Sequence, residues 1–303
     1  EKLQMPSGKF GPIPIGVKYV GDEYDIIYYH SATALTLQRN KKRKNAAEKS
    51  LLVIADPIFD LTDSRSGRTK IAGTSKDNYR IKTMDAISRQ MGLGGTRTGI
   101  SKIKETANLD TIMFPRLDKT GILADDLVKK VFYGTVADVL MGFSASEKEL
   151  GKTDLSRYKY LVFATHGILD NTVPYIKEPA LVLTQLGTDE TNDGFLTMTE
   201  IMGMKLNADV VALTACQTGL GRSLSGEGVM GLGRAFQYAG ANSVLVSLWN
   251  VAEESTVIMA ENFFQYVREG KTNRQALRLA RSDVRRAGYE HPFFWSAFIL
   301  IGD

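Results

Sequence analysis

Three observations predict an α/β fold built on a mostly parallel central sheet flanked by helices. Short, continuous apolar runs recur along the chain, segments of helical period lie between them, and the composition is that of an ordinary globular protein. The runs are Leu51–Pro57 (LLVIADP), Tyr160–Thr165, Val210–Ala215, Ser243–Leu248 and Trp295–Ile301. A strand that is apolar without alternation is buried on both faces, as in a parallel sheet covered by helices. Between the runs, Ile81, Met84, Ile87 and Met91 keep helical spacing over 78–91, and Ile122, Leu123, Leu127 and Val131 do so over 121–132. Further helices are expected over 226–239, 252–269 and 272–287. Ligands of such a sheet bind outside the carboxyl ends of its strands.

The chain has 303 residues, 43% hydrophobic and 24% charged, with a formal net charge of +4. That length suits one large domain or two modest ones, and the composition excludes long disorder and fibrous repeats. The single cysteine, Cys216, excludes an internal disulfide framework and a multi-cysteine zinc site. His30, His166 and His291 are too dispersed to suggest an all-histidine metal site. No apolar run approaches the roughly 18–20 residues of a membrane span, and EKLQMPSGKF lacks a signal-peptide core. A cytoplasmic protein with no membrane contact is expected.

Taken in order, residues 1–50 form a smaller β-rich part. Ile13–Val20 and Tyr24–Tyr29 are β-branched and aromatic with turn residues between them, and Ser31 is placed to cap a short helix through Leu37. The absence of an initiator Met suggests a removed upstream piece. Lys41-Lys42-Arg43-Lys44 carries no interleaved aromatics, so it is taken as a solvated connector with no direct nucleic-acid binding. The main α/β domain then covers 51–303, with a polar insertion around 60–119. Its Gly-, Ser-, Thr- and Lys-rich stretches, 60–77 and 92–119, are expected to be exposed and mobile. A polar loop, Gly187–Gly194, separates Leu181–Leu183 from Phe195-Leu196 and suggests a surface hairpin.

Phosphate-site motifs fail. Gly151-Lys152-Thr153 and Gly270-Lys271-Thr272 resemble the tail of a P-loop, but Ser146 and Gln265 stand where its first glycine belongs. Gly92-Leu93-Gly94 has Arg97 where the dinucleotide fingerprint needs glycine, and Gly221-Arg222-Ser223-Leu224-Ser225 is no hydrolase elbow.

Two strand ends stand out instead. The run ending at Thr165 delivers His166-Gly167, and the run ending at Ala215 delivers Cys216-Gln217-Thr218-Gly219. Both side chains are expected at the carboxyl edge of the sheet. Thiol proteolysis needs a thiolate made available by a nearby imidazole and N–H donors for the developing oxyanion. Gly167 lets a carbonyl approach the backbone, and the Cys216 N–H lies in the turn. From spacing alone, a buried structural cysteine beside a histidine satisfied by its loop has equal weight.

Phe163-Ala164-Thr165-His166-Gly167 and Leu213-Thr214-Ala215-Cys216-Gln217-Thr218-Gly219 resemble the two catalytic motifs of CHAT-domain peptidases, relatives of caspases and separase. The resemblance continues through Ser225–Phe236, Ala239-Gly240-Ala241, Ser247–Val251 and His291–Trp295 to Ile299–Asp303. It is looser at Pro6–Phe10 and Tyr29-His30-Ser31, and residues 60–119 look like an insertion. It implies a caspase-like fold and a cysteine endopeptidase, without metal or organic cofactor, that cuts a protein partner under regulatory control, in bacterial defence or signalling. It also implies an upstream TPR-like region or activating partner.

Carried over by position, His166 is the base, Cys216 the nucleophile, and the N–H groups of Gly167 and Cys216 the oxyanion donors. Thr218 stands where the caspase signature has glycine, with Gly219 following. Asp170, Glu253 and Glu254 are candidates for a specificity pocket or for orienting the imidazole, against the reading that they are solvated loop acids. His30 and His291 are expected to be structural, as are Glu227, Arg234 and Trp249, and glycines 226, 228, 231 and 233 to let a helix sit close on the sheet. A catalytically silent interaction module with the same fold is the alternative.

Overall fold

The computed structural model describes residues 17–33, 35–36, 47–60, 63–66, 114–168, 176–189, 191–214, 226–249 and 251–302. Its strands are β1 (Lys49–Pro57), β2 (Ala137–Gly142), β3 (Tyr158–Ala164), β4 (Gly167–Ile168), β5 (Ala180–Val182), β6 (Phe195–Thr197), β7 (Val210–Leu213), β8 (Ser243–Ser247) and β9 (Phe298–Gly302). Among the described residues, six of them form one sheet in the order β2-β1-β3-β7-β8-β9. All neighbours pair in parallel except β9, which runs antiparallel to β8. The other three form a small antiparallel sheet, β4-β5-β6.

The longer helices are α1 (Asp118–Asp126), α2 (Gly226–Ala239), α3 (Glu253–Arg268) and α4 (Asn273–Arg286). Alternate side chains of each main-sheet strand supply two cores, which is why the strands read as continuous apolar runs. Leu51, Val53 and Ala55 of β1 join Tyr160, Val162 and Ala164 of β3 in a core that includes Leu123 of α1, Phe263 and Phe264 of α3, and Leu277 and Val284 of α4. Leu52, Ile54, Leu161 and Phe163 face the opposite way, onto Val229, Leu232 and Phe236 of α2. α4 starts in a capping box, with Thr272 and Gln275 exchanging hydrogen bonds, and its last turn carries Arg285 and Arg286, the sign its dipole favours. Gly233 brings α2 onto β9: a Cβ there would lie 2.5 Å from Ile301 Cδ1.

Several sequence expectations need correction. Val20 opens a helical turn, Val20–Glu23, and Tyr24–Tyr29 contributes to pairing through a single bridge from Tyr28 to Ile301. Ile122 is 49% exposed, because α1 turns Leu123 and Ala124 to the sheet and leaves 122 off that face. β2 carries no continuous apolar run; as an edge strand it is only half buried. The last run begins with a helical turn, Pro292–Trp295, and its strand starts at Phe298. The insertion's carboxyl end is packed, with Leu117 only 1% exposed. The helix expected over 78–91 lies outside the described residues, as does most of Ile13–Val20.

Candidate active site

β3 ends at Ala164, and the next residues turn into the small sheet. The Thr165 hydroxyl donates to the Val182 carbonyl, and Val182 N–H donates to the His166 carbonyl at 2.8 Å. These bonds fix the backbone on both sides of the imidazole. The small sheet has its own core of Phe59, Ile168, Ile176, Ala180, Val182 and Phe195, with Phe114 packed against it. His166 lies against this cluster, its ring centroid 4.9 Å from that of Phe59 and 5.6 Å from that of Phe114, and only 1% of the residue is exposed. Its Nε2 is 2.7 Å from the Pro115 carbonyl oxygen. A carbonyl only accepts, so Nε2 carries the hydrogen, and in the neutral ring Nδ1 is the basic nitrogen.

Segment 114–117, which supplies that carbonyl, is anchored by the residue next to Pro115. Arg116 donates from Nε to Asp56 Oδ1 at 3.0 Å and from Nη2 to Asp56 Oδ2 at 2.7 Å. Arg65 donates from Nη1 to Asp56 Oδ2 at 2.7 Å and to the Asp56 carbonyl at 3.0 Å, while its other nitrogens hold Asp63. Asp56 N–H donates to the Thr120 hydroxyl at 3.0 Å, and that hydroxyl donates to the Leu117 carbonyl at 2.7 Å. Asp56 is 2% exposed and has a φ of 44°, the left-handed region, at a register shift between β1 and β2. A non-glycine residue stays there only when its surroundings over-determine it, and the bonds named here do so. The paired carboxylates hold the Arg65 and Arg116 guanidiniums more firmly protonated than usual, and Arg65 in turn lowers the Asp63 carboxyl.

Cys216 and Asp170 lie outside the described residues. The pairing of β3 with β7 still carries information up to their edge. Phe163 is the rung partner of Leu213, and Thr214 N–H donates to the Phe163 carbonyl at 3.1 Å. His166 follows Phe163 by three residues (166 − 163), and Cys216 follows Leu213 by the same number (216 − 213). Adjacent strands lie about 4.8 Å apart. Gly167 opens β4, where a Cβ would meet only ordinary contacts, the nearest being Leu181 Cδ2 at 3.9 Å. Among the described residues, neither packing nor a positive φ demands glycine at that position.

Glu253 sits at the start of α3, where its Oε2 accepts from Lys119 N–H at 3.1 Å and so joins α3 to the start of α1. Burial raises its carboxyl, and that bond partly offsets the effect. Glu254 is exposed. His291 caps its helical turn by accepting from Phe293 N–H, and His30 Nδ1 accepts from Arg234 Nε at 3.0 Å. Trp249 Nε1 donates to the Phe293 carbonyl at 2.9 Å. Among the described residues, no group of three His, Cys, Asp or Glu side chains could hold a metal ion.

Sequence reasoning missed Asp56, Arg65, Arg116 and the Pro115 carbonyl. The one available signal was a charged residue, Asp56, closing an otherwise apolar strand run at the sheet's carboxyl edge.

Comparison with known proteins places this geometry in context. Over 108 residues the chain is 32% identical to tetratricopeptide repeat protein 28 of Mus musculus and, to the same extent, to that of Homo sapiens. Those matches cover 35% of this chain and 4% of each relative, so the chain spans a small fraction of their length. The CHAT domain model matches residues 5–303, nearly the whole chain. With a mostly parallel six-stranded sheet that presents His166 at its carboxyl edge, the chain belongs to the CHAT domain family, which is related to the caspase-like cysteine peptidases.

Proposed function

We propose that this protein is a cysteine endopeptidase that cleaves a protein partner through His166 and Cys216. The observation that carries the reading is the state of the imidazole: Pro115 fixes Nε2 as the donor, which leaves Nδ1 as the base. The equal spacing of His166 and Cys216 beyond the Phe163–Leu213 rung supports the thiol as its partner. Nδ1 takes the thiol proton, and the thiolate attacks the scissile carbonyl. The N–H groups of Gly167 and Cys216 receive the oxyanion, and a glycine that packing among the described residues does not require is in keeping with that role. His166 returns the proton to the leaving amine, and water then hydrolyses the acyl-enzyme.

The near-complete burial of His166 favours a regulated enzyme, since a substrate must gain access to a base that water barely reaches. The name of the mammalian relatives favours a tetratricopeptide-repeat region as the regulatory neighbour. Residues 1–50 are read as an accessory part of the peptidase region and 51–303 as its catalytic domain, in a defence or signalling setting. Asp170, Glu253 and Glu254 remain the candidates for the specificity pocket.

The test is cleavage of a peptide library and of lysate proteins, with and without candidate partners. Cys216→Ala and His166→Ala are each expected to abolish turnover while the circular-dichroism spectrum stays unchanged. The double variant should be no worse than either single one, because the two groups act as a unit. Turnover by purified Cys216→Ala equal to that of the parent protein refutes the assignment. If no preparation turns over and thiol alkylation of Cys216 is indifferent to His166, the silent interaction module is the better reading.

A further inference from the structure

The Asp56 cluster has no part in the chemistry just described, yet it is heavily bonded close to the residue that holds the His166 ring. A carboxylate 3% exposed at the end of β1 is bridged by two guanidiniums from opposite ends of the insertion. Arg65 stands just before residue 67 and Arg116 just after residue 113, so both stems of the 67–113 segment are pinned to one side chain. Arg116 is also the immediate neighbour of Pro115, whose carbonyl holds the His166 ring. The bidentate fork matters, because two parallel bonds fix orientation as well as distance. Leu117, buried to 1%, and the Thr120 hydroxyl bonded to both Asp56 and Leu117 leave the segment little freedom to rotate.

We propose that Asp56 is a positioning residue for the His166 base: through Arg116 it aims the Pro115 carbonyl at Nε2, while Arg65, the second guanidinium on the same carboxylate, holds Asp56 in place. This inference rests on the peptidase reading for its consequence in turnover, but not for its effect on the ring. Any event that draws Arg65 and Arg116 off Asp56 lets the carbonyl drift and the imidazole lose its preferred tautomer.

The experiment is nitrogen-15 NMR of the whole chain, labelled at histidine, which distinguishes the two neutral tautomers of each ring. His30 and His291 serve as internal references, since each accepts at Nδ1 from a partner outside the cluster. In the parent protein, His166 should give a single Nε2–H pattern. In Asp56→Asn and Arg116→Gln that pattern should give way to a mixture, with Arg116→Lys between them because one ammonium cannot form the fork. The His30 and His291 patterns should not change. Peptide turnover in the same variants should fall roughly 10- to 100-fold in kcat with KM within about twofold, the expected effect of misaligning a reacting group.

If Asp56→Asn fails to fold, Arg116→Gln decides, since Arg116 is 43% exposed and its loss leaves no large void. A folded Arg116→Gln with an unchanged His166 tautomer and parental kcat overturns the proposal. A tautomer shift in a protein that never cleaves any peptide upholds the positioning role while removing the peptidase reading.

Discussion

Glu147 offers a stability measurement that is independent of catalysis. It opens the short helix Glu147–Lys152, and its Oε2 accepts from Gly194 N–H at 2.5 Å. Burial pushes its carboxyl up to about 8, with Asp193, Glu200 and Asp189 adding to the rise and the Gly194 bond opposing it. The folded protein therefore prefers the protonated acid. The stabilisation is complete below the ordinary value of 4.5 and is lost as pH rises through about 8. The difference between 4.5 and 8 corresponds to ~5 kcal/mol for a group wholly out of water. Water reaches the group through a cleft of about 230 Å³ lined by Glu147, Asn192 and Gly194, and screening reduces the contribution to ~2 kcal/mol. Glu147→Gln keeps an acceptor for Gly194 and removes the titration. Between pH 5 and pH 9 the parent should lose ~2 kcal/mol more than the variant, or about 4 °C in melting temperature for a chain of this size. Scanning calorimetry across that range gives the answer. Parallel curves for the two proteins would refute the reasoning.

Other expected outcomes follow from separate features. Burial and the neighbouring Asp126 raise Glu261 to about 7, so Glu261→Gln should flatten the loss of stability as pH rises through 7, read from melting temperature against pH. Gly240 has a φ of 131°, and a Cβ there would lie 2.1 Å from the Leu206 carbonyl oxygen, so Gly240→Ala should cost ~3 kcal/mol or more and lower the urea midpoint. Arg65 and Arg116 are occupied by carboxylates, so trypsin should cut after them slowly in the parent and about tenfold faster in Asp56→Asn, as timed digests with mass spectrometry would reveal.

The legible part of the fold is the part in which burial wrote a pattern. β1, β3, β7 and β8 lie between two helical layers, so both faces are apolar and each strand reads as an unbroken run. β2 escapes because it lies at the edge, where Asp138 can sit within the strand and pair with Lys49 at 2.5 Å. β4 has only two residues, and β5 and β6 three each, lengths below any periodicity. At the site, His166 was legible because a histidine ending an apolar run is unusual. The Pro115 carbonyl was not, because every residue has a carbonyl and only tertiary structure selects one. The Asp56 cluster was hidden by distance: its partners stand 9 and 60 residues downstream, and nothing local links the three.

The bridge between Tyr28 and Ile301 has a consequence for assembly. Tyr28 N–H donates to the Leu300 carbonyl at 2.8 Å, and Gly302 N–H donates to the Tyr28 carbonyl at 2.9 Å. A residue near the start of the chain thus occupies the free edge of the strand near its finish, across 273 positions (301 − 28) of sequence. Contacts of such separation carry a loop-closure penalty that local pairing does not. Among the described residues, these two hydrogen bonds are what covers the outer edge of β9, and an uncovered strand edge is the kind that recruits strands from other chains.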